Sequence, residues 1–94
     1  MTLTFLRKRC DWLPERGALL FAGTVGDKSV RIFVSETAVL DAAALRTASS
    51  VELIRAAENL RSVIELAAQR LYETRDRNSF DGTIVVSSAE LQGG

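Results

Sequence analysis

The chain has 94 residues, of which 47% are hydrophobic and 26% are charged. These are ordinary values for a globular domain, so the composition excludes a chain that is disordered throughout. The length predicts one domain over residues 1–94, because hydrophobic cores divide only in much longer chains. Twelve basic residues balance twelve acidic residues. A nucleic-acid-binding domain usually carries a basic excess, so this balance disfavours that class while leaving room for a local basic patch.

The single cysteine and the short apolar runs indicate the cellular compartment of the protein. Cys10 is the single cysteine, so no disulfide can form within the chain, which is typical of a reducing compartment. The longest apolar runs, such as residues 18–22, are too short to span a bilayer. Near the N-terminus the basic residues follow a brief apolar run, whereas a secretory signal has them before a longer one. We therefore expect a cytoplasmic protein with no membrane partner.

The first elements in chain order are a short strand and a connection. Residues 3–6 (LTFL) are predicted to form the strand. Residues 7–17 are predicted to form the connection, because Pro14 and Gly17 interrupt regular structure.

A β-hairpin follows. Residues 18–25 and 28–35 flank Gly26 and Asp27, a pair typical of a two-residue hairpin loop in which glycine adopts positive φ. This loop pairs Val25 with Lys28, and every later pair follows from it. The apolar side chains that then share one face are Leu19, Phe21, Val30, Ile32 and Val34.

Two helices are predicted next. Ser35 is a candidate N-cap for a short helix from residue 36 to about 45. Ser49 and Glu52 have the spacing of a capping box, which predicts the start of a long helix that runs to about residue 73. Apolar residues at alternating steps of four and three form one stripe along it. The stripe consists of Leu53, Ala57, Leu60, Ile64, Ala67 and Leu71.

The C-terminal part completes the predicted fold. Residues 83–87 are predicted to form an edge strand and residues 89–94 a flexible tail. Packing the helix stripe on the apolar face of the hairpin gives an α+β two-layer sandwich. Its small antiparallel sheet has three or four strands, packed by one short and one long helix in the order β-β-β-α-α-β.

The residues that would carry catalysis or bind a metal are scarce. The chain has no histidine, so it contains neither a Ser-His nor a Cys-His pair, and with one cysteine it lacks the ligands of a zinc site. Cys10 follows three basic residues that would lower a thiol pKa, although an incidental thiol in a connection is the simpler interpretation. We therefore expect no enzymatic activity, no metal and no cofactor.

Five basic residues form a candidate phosphate-binding patch. Arg7, Lys8 and Arg9 are consecutive, and Arg75 and Arg77 lie in a predicted loop. Such residues could contact a nucleic-acid backbone. Nearby acidic residues dilute the charge, so a solvated surface is the favoured interpretation and a nucleic-acid partner is not expected.

One apolar feature remains outside the predicted core. Leu20 and Phe33 form a cross-strand pair on the second face of the hairpin, and Trp12 and Leu6 could join them. The N-terminal segment of the chain could cover these residues. Alternatively, Trp12, Leu20 and Phe33 form an interface for a partner protein or a second copy, since contiguous exposed apolar patches mark such sites.

The sequence also resembles a family of small bacterial proteins, domain-of-unknown-function family 1488. The matching stretches are LFAG at 20–23, VRIFV at 30–34, SETAVL at 35–40, ENLRSVIELA at 58–67 and GTIVVSSAEL at 82–91. The resemblance implies a compact α+β fold in a bacterial cytoplasm. It implies no catalytic residues, because the family has no established activity.

Taken together, these features favour a non-catalytic interaction or binding module whose partner is an unidentified protein or a second copy of the chain. The alternative is a weak nucleic-acid-associated regulatory protein. Salt-sensitive retention on nucleic acid would support the alternative, whereas the module should form a complex that salt does not disrupt.

Overall fold

The computed structural model describes residues 3–6, 9–74 and 81–92, and these form five strands and four helices. The strands are β1 (Leu3–Phe5), β2 (Asp11–Leu13), β3 (Ala18–Val25), β4 (Lys28–Ser35) and β5 (Thr83–Val86). The helices are α1 (Glu36–Ala42), α2 (Ser50–Asn59), α3 (Arg61–Thr74) and α4 (Ser88–Gln92). The predicted α+β class is confirmed, with helices packed on one face of a sheet.

The β3–β4 hairpin has the register that its loop predicts. Val25 pairs with Lys28 and Leu19 pairs with Val34, across a turn in which Gly26 has φ +64°. Positive φ carries no steric penalty at glycine, which is why this residue can close the turn. The five apolar side chains predicted to share one face are each no more than 2% exposed, and they form the centre of the core.

The sheet differs from the prediction in two respects. The strand order is β1-β3-β4-β5. Strand β2 pairs with the same edge of β3 as β1 does, but at the other end of β3. The sheet is mixed rather than antiparallel, because β5 runs parallel to β4. The three helices between these two strands form a crossover, which brings the chain back to the end of the sheet where β4 began. The second difference is β2, which falls inside the predicted connection. Three residues are too few to show an alternating pattern, so hydrogen bonding to β3 determines this strand.

Both predicted helix starts are confirmed by their caps. The Ser35 hydroxyl accepts a hydrogen bond from the Ala38 N–H at 3.1 Å. Ser49 and Glu52 form a complete capping box, in which the Glu52 N–H donates to the Ser49 hydroxyl at 3.2 Å and the Ser49 N–H donates to the Glu52 carboxylate at 3.1 Å. These bonds satisfy backbone N–H groups that the first helical turn leaves unpaired.

The predicted long helix is divided in two at Leu60. This residue has φ −92° and ψ 7°, and its N–H donates to the carbonyls of both Ala56 and Ala57. As a result α2 packs near β2 while α3 packs near β1 and β5. This division lets one apolar stripe reach strands at both edges of the sheet.

The chain beyond β5 forms a helical turn where the sequence suggested a flexible tail. In α4, Leu91 is 7% exposed and belongs to the core cluster. The Ser87 hydroxyl donates to the Glu90 carboxylate, and the Ser88 hydroxyl donates to Asp41 in α1 at 3.0 Å. One buried leucine, one local hydrogen bond and one hydrogen bond to α1 order the segment. Residues 93–94 lie outside the described residues.

Candidate interaction surface

The helices cover one face of the sheet, and a row of side chains crosses the other. Leu20 on β3 lies opposite Asp11 on β2 and Phe33 on β4. Phe33 in turn lies opposite Val85 on β5. Paired residues point to the same side of a sheet, so these four side chains form one row. Val85 is 51% exposed and Leu20 is half-buried, so this row is partly open to solvent.

A second row lies beside the first. The Leu6 N–H donates to the Ala22 carbonyl at 2.9 Å, which continues the β1–β3 register by one residue. Ala22 pairs with Arg31, and Arg31 pairs with Thr83. Leu6 is 60% exposed, and Arg31 Nη2 lies 3.3 Å from Thr83 Oγ1. We call the surface formed by these two rows the open face.

Phe33 is the largest side chain of the open face, and its own chain covers it. The residue is only 4% exposed, and the guanidinium carbon of Arg16 lies 4.2 Å from the centroid of its ring. Arg16 is held in the turn between β2 and β3, where its N–H donates to the Leu13 carbonyl at 3.1 Å. A cation stacked on an aromatic face is attracted by the quadrupole of the ring. Phe33 therefore lies buried beneath Arg16. The accessible apolar area of the open face comes from Leu6, Leu20 and Val85.

Trp12 lies on the other side of the sheet from Leu20 and Phe33. It pairs with Leu19, so it points towards the helices, and it packs half-buried against the core. The structure therefore brings together only two of the three predicted interface residues. The reason is β2, whose register with β3 fixes the side of every residue in it.

The two rows of the open face contain one acidic and one basic side chain, both exposed, and the exposed Arg16 adds a second basic group over Phe33. Asp11 lies on β2 at one end of the first row, and Arg31 lies on β4 in the second row. Asp11 and Arg31 are two strands apart across the sheet and two residues apart along it, which corresponds to a distance of roughly 12 Å. Neither forms an ion pair with a described residue, whereas Arg61 and Glu65 pair on α3 at 2.9 Å. The two charges thus flank the apolar centre of the open face without neutralising each other.

Cys10 lies in the core at the edge of the sheet. It is 7% exposed, and its Sγ lies 3.9 Å from the Ile54 carbonyl oxygen. Burial, followed by the charges of Glu58 and Asp11, raises the pKa of this thiol from 9.0 to about 12. A protonated, buried thiol is a poor nucleophile, so the simpler interpretation of Cys10 as an unreactive thiol is the one that the geometry favours.

Beside Cys10, a shallow notch of about 430 Å³ opens between β2, β3 and α2. Arg9 lines it together with Asp11 and Glu58. The single basic side chain therefore faces two acidic ones. The notch shows no concentration of positive charge that would attract a phosphate group.

Four of the five residues of the predicted basic patch lie outside the described residues. These are Arg7, Lys8, Arg75 and Arg77. Arg9 is exposed and lies in the notch. The patch as a whole stays a prediction from sequence.

Within residues 3–6, 9–74 and 81–92, no three cysteine or acidic side chains converge as metal ligands would. In the same residues, no helix combines the length and the apolar character needed to cross a bilayer.

Sequence reasoning gave no role in an interface to Asp11, Arg31 or Val85, which all lie in the open face. Val85 alternates with two buried neighbours, Ile84 and Val86, each 0% exposed, and this pattern does indicate that Val85 points away from the core. Which strand lies beside Val85 cannot be read from that pattern, so its row could not be predicted.

Comparison with known proteins gives one family and one fold. The sequence profile of the family described as "Protein of unknown function (DUF1488)" matches residues 3–86. A solved structure from Shewanella loihica PV-4, a protein of unknown function from the same family, is similar with a TM-score of 0.76. The two chains share 22% identity over 90% of this chain and 91% of the other, which shows a common fold. No curated protein matches the chain.

Proposed function

Because the chain belongs to the DUF1488 family, whose description assigns no activity, we propose from its surface that it is a non-catalytic protein-interaction module. The observation that carries this proposal is the open face. Leu6 and Val85 are 60% and 51% exposed there, on either side of the half-buried Leu20. Exposed apolar side chains lose contact with water when a protein partner covers them, which favours association.

The rigidity of the scaffold supports the same function. Leu20 and Phe33 lie on the two long strands of the sheet, and the core-facing neighbours of both are fully buried. A surface built on such strands loses little conformational entropy when it binds. Arg16 fixes the ring of Phe33 from above, so this part of the open face is ordered before a partner arrives.

The non-catalytic part of the proposal rests on the lack of a reactive group. Cys10 is buried with a raised pKa, and histidine is absent from the sequence. Within the described residues, no three cysteine or acidic side chains converge as metal ligands would. The free thiol also supports a place in the bacterial cytoplasm, where cysteines stay reduced. The nucleic-acid alternative gains no support from Arg9, which shares its notch with two acidic residues.

The test is complex formation by surface variants of the full chain. Leu6→Glu and Val85→Glu each place a charge on the open face, whereas Leu66→Glu places one on a residue of α3 that is 61% exposed. Light scattering after size exclusion measures self-association, and affinity capture from a lysate of the source bacterium measures association with other proteins. We expect a complex with the wild-type chain that persists at moderate salt, is lost in both open-face variants and is retained in Leu66→Glu.

Thermal unfolding followed by circular dichroism verifies that each variant is folded. Leu6 lies just outside β1, so Leu6→Glu remains informative if Val85→Glu disturbs β5. A wild-type chain that forms no complex would contradict the proposal. A complex that is lost in Leu66→Glu and retained in the open-face variants would contradict it equally.

A further inference from the structure

Strand β5 forms one edge of the sheet, because β4 is its sole neighbour among the described strands. The Arg31 N–H on β4 donates to the Gly82 carbonyl at 2.8 Å, one residue before Thr83, with which Arg31 pairs. In a parallel ladder of this register, the backbone groups of alternate residues point to β4 and those of the residues between them point away. The residues whose backbone groups point away from the sheet are Thr83, Val85 and Ser87.

Two of these outward groups are already bonded within the chain. The Thr83 N–H donates to the Asp81 carboxylate at 3.0 Å, and the Ser87 carbonyl accepts from the Leu91 N–H in α4 at 3.1 Å. Within residues 3–6, 9–74 and 81–92, no partner bonds the Thr83 carbonyl, the Ser87 N–H or either backbone group of Val85. The edge therefore offers an acceptor at Thr83, a donor at Ser87, and one of each at Val85 between them.

This pattern of free and bonded groups is complementary to itself. A twofold axis perpendicular to the sheet at Val85 sets two copies of β5 antiparallel, with each Thr83 opposite Ser87 of the other copy. The two Val85 residues then exchange their N–H···O=C bonds, and each free Ser87 N–H meets a free Thr83 carbonyl. The Thr83 N–H and the Ser87 carbonyl face each other, and both are already bonded within their own chains.

We infer that β5 pairs with β5 of a second copy of this chain, in an antiparallel register centred on Val85. An extended segment of another protein would also reach the free groups of Val85, but it carries an unbonded N–H and C=O at nearly every residue. Its carbonyl opposite Thr83 and its N–H opposite Ser87 would meet groups that are already occupied. A strand whose own groups are bonded at these two positions loses no hydrogen bond on pairing, and β5 is such a strand.

The side chain of Val85 supports the same pairing. Residues that exchange both hydrogen bonds in an antiparallel pair have Cα atoms about 5.5 Å apart, with their side chains on the same side of the sheet. The two Val85 side chains, each 51% exposed in the single chain, therefore cover each other. Because β5 has only four residues, the contact is small, and we expect a weak, reversible dimer.

The dimer goes beyond the proposed function, because it uses the edge of the sheet and leaves Leu6 and Leu20 free for another protein. The axis is perpendicular to the sheet, so the open faces of both protomers lie on the same side. The two sheets thereby become one, and its uncovered side presents two open faces next to each other.

The first test compares two substitutions at one position. Val85→Pro removes the outward N–H, and proline is tolerated in an edge strand where that group faces solvent. Val85→Thr keeps the N–H and the branched shape of the side chain. We expect Val85→Pro to raise the dissociation constant about tenfold or more, because both symmetric bonds at the axis are lost, whereas Val85→Thr should still dimerise. Sedimentation velocity from about 10 μM to about 1 mM covers the range of a weak complex, and circular dichroism verifies folding.

A second test needs no variant, so it remains informative if Val85→Pro fails to fold. Hydrogen exchange of the wild-type amides is followed by nuclear magnetic resonance at two protein concentrations. The amides of Val85 and Ser87 should exchange at least about twofold more slowly at about 1 mM than at about 50 μM, because the dimer protects them. The amide of Asp27, in the hairpin loop, should exchange at the same rate at both concentrations.

Three results would overturn the inference: a wild-type chain that stays monomeric up to about 1 mM, a dimer that Val85→Pro and Val85→Thr weaken equally, or exchange at Val85 and Ser87 that does not depend on concentration. Leu6→Glu separates this failure from failure of the proposed function. A dimer that Leu6→Glu dissociates belongs to the open face, which supports the proposed function and overturns the edge pairing. A dimer that passes both tests, in a chain whose open face captures no protein, supports the edge pairing and contradicts only the proposed function.

Discussion

At Cys10, burial and electrostatics act in the same direction on one side chain. The thiol is 7% exposed, and the nearby carboxylates of Glu58 and Asp11 further disfavour its ionisation, so its pKa rises from 9.0 to about 12. The unfolded chain forms a thiolate above about pH 9, whereas the folded chain keeps the thiol neutral. The contribution of this group to stability is therefore complete below pH 9, and it is lost as pH rises towards the folded value of about 12.

We expect Cys10 in the folded protein to react with a thiol-specific alkylating reagent at about pH 8 at least a hundredfold more slowly than in the unfolded chain, because the thiolate is the reactive form. The rates are measured by mass spectrometry with and without guanidinium chloride. Cys10→Ser serves as the control for modification elsewhere. Equal rates in the two conditions would show that the thiol is accessible and ionisable in the folded state.

The contact between Arg16 and Phe33 explains why Phe33, one residue of the predicted apolar pair, is buried. Sequence pattern places Phe33 on the second face of the hairpin, and the structure confirms that side. The pattern gives no indication of the cation 4.2 Å from its ring, since Arg16 belongs to a turn that was predicted only as part of a connection. The burial of Phe33 therefore depends on a contact that neither residue indicates by itself.

At the scale of the elements, caps and periodicity determine the helices. The capping box at Ser49 lowers the pKa of the Glu52 carboxyl, chiefly through the hydrogen bond from the Ser49 backbone N–H. A carboxyl whose pKa is lowered by folding stabilises the folded state above its unfolded pKa, and this contribution disappears as pH falls through the folded value. The start of α2 should therefore weaken in acid.

We expect Ser49→Ala to lower the free energy of unfolding by about 1 kcal/mol, because it removes the side-chain acceptor for the Glu52 N–H. Urea unfolding at neutral pH measures the change. Ser62→Ala, at an exposed position in the first turn of α3, is the matched control and should change stability by less than about 0.5 kcal/mol. An equal loss in both variants would mean that the cap contributes nothing specific.

The interruption of the helix at Leu60 is a feature that hydrophobic periodicity does not predict. The stripe from Leu53 to Leu71 has the period of one continuous helix, and the core-facing members of that stripe are buried as predicted, with Ala57 and Ile64 each 0% exposed. The helical layer is nevertheless interrupted at Leu60, and α2 and α3 contact different strands. A hydrophobic period reports which side of a helix is buried, and it does not report the curvature of the surface on which the helix packs.

For the whole molecule, stability depends on one core shared by strands and helices. Ile64 on α3 is 0% exposed within this core, and Leu66 two residues later is 61% exposed. A domain of this length is stable by only about 5–15 kcal/mol, so one large cavity removes a substantial share. The two residues provide a matched comparison on one helix.

We expect Ile64→Ala to lower the free energy of unfolding by about 2–5 kcal/mol, because it removes buried methyl groups and leaves a cavity. Leu66→Ala should change it by less than about 0.5 kcal/mol, since the side chain remains in solvent and alanine is a good helix former. Chemical denaturation measures both values. Similar losses in the two variants would show that α3 does not pack on the sheet through the Ile64 face.

The sequence by itself determined every feature that local chemistry specifies. Gly26 with Asp27 set the loop, the loop set the hairpin register, and the alternation of β3 and β4 then set which side chains enter the core. Ser35 and Ser49 marked the helix starts, because a side-chain oxygen at that position satisfies N–H groups only a few residues away. Each of these interactions lies within a short stretch of chain.

Tertiary structure decided the features that depend on which distant segments meet. The parallel pairing of β5 with β4 is such a feature, because three helices separate the two strands along the chain. The open face has the same origin in part, since Val85 joins the row of Leu20 and Phe33 only through this pairing. Side-chain patterns encode burial, whereas strand order and the surface left uncovered are set by how the whole chain satisfies its backbone hydrogen bonds and buries its apolar faces together.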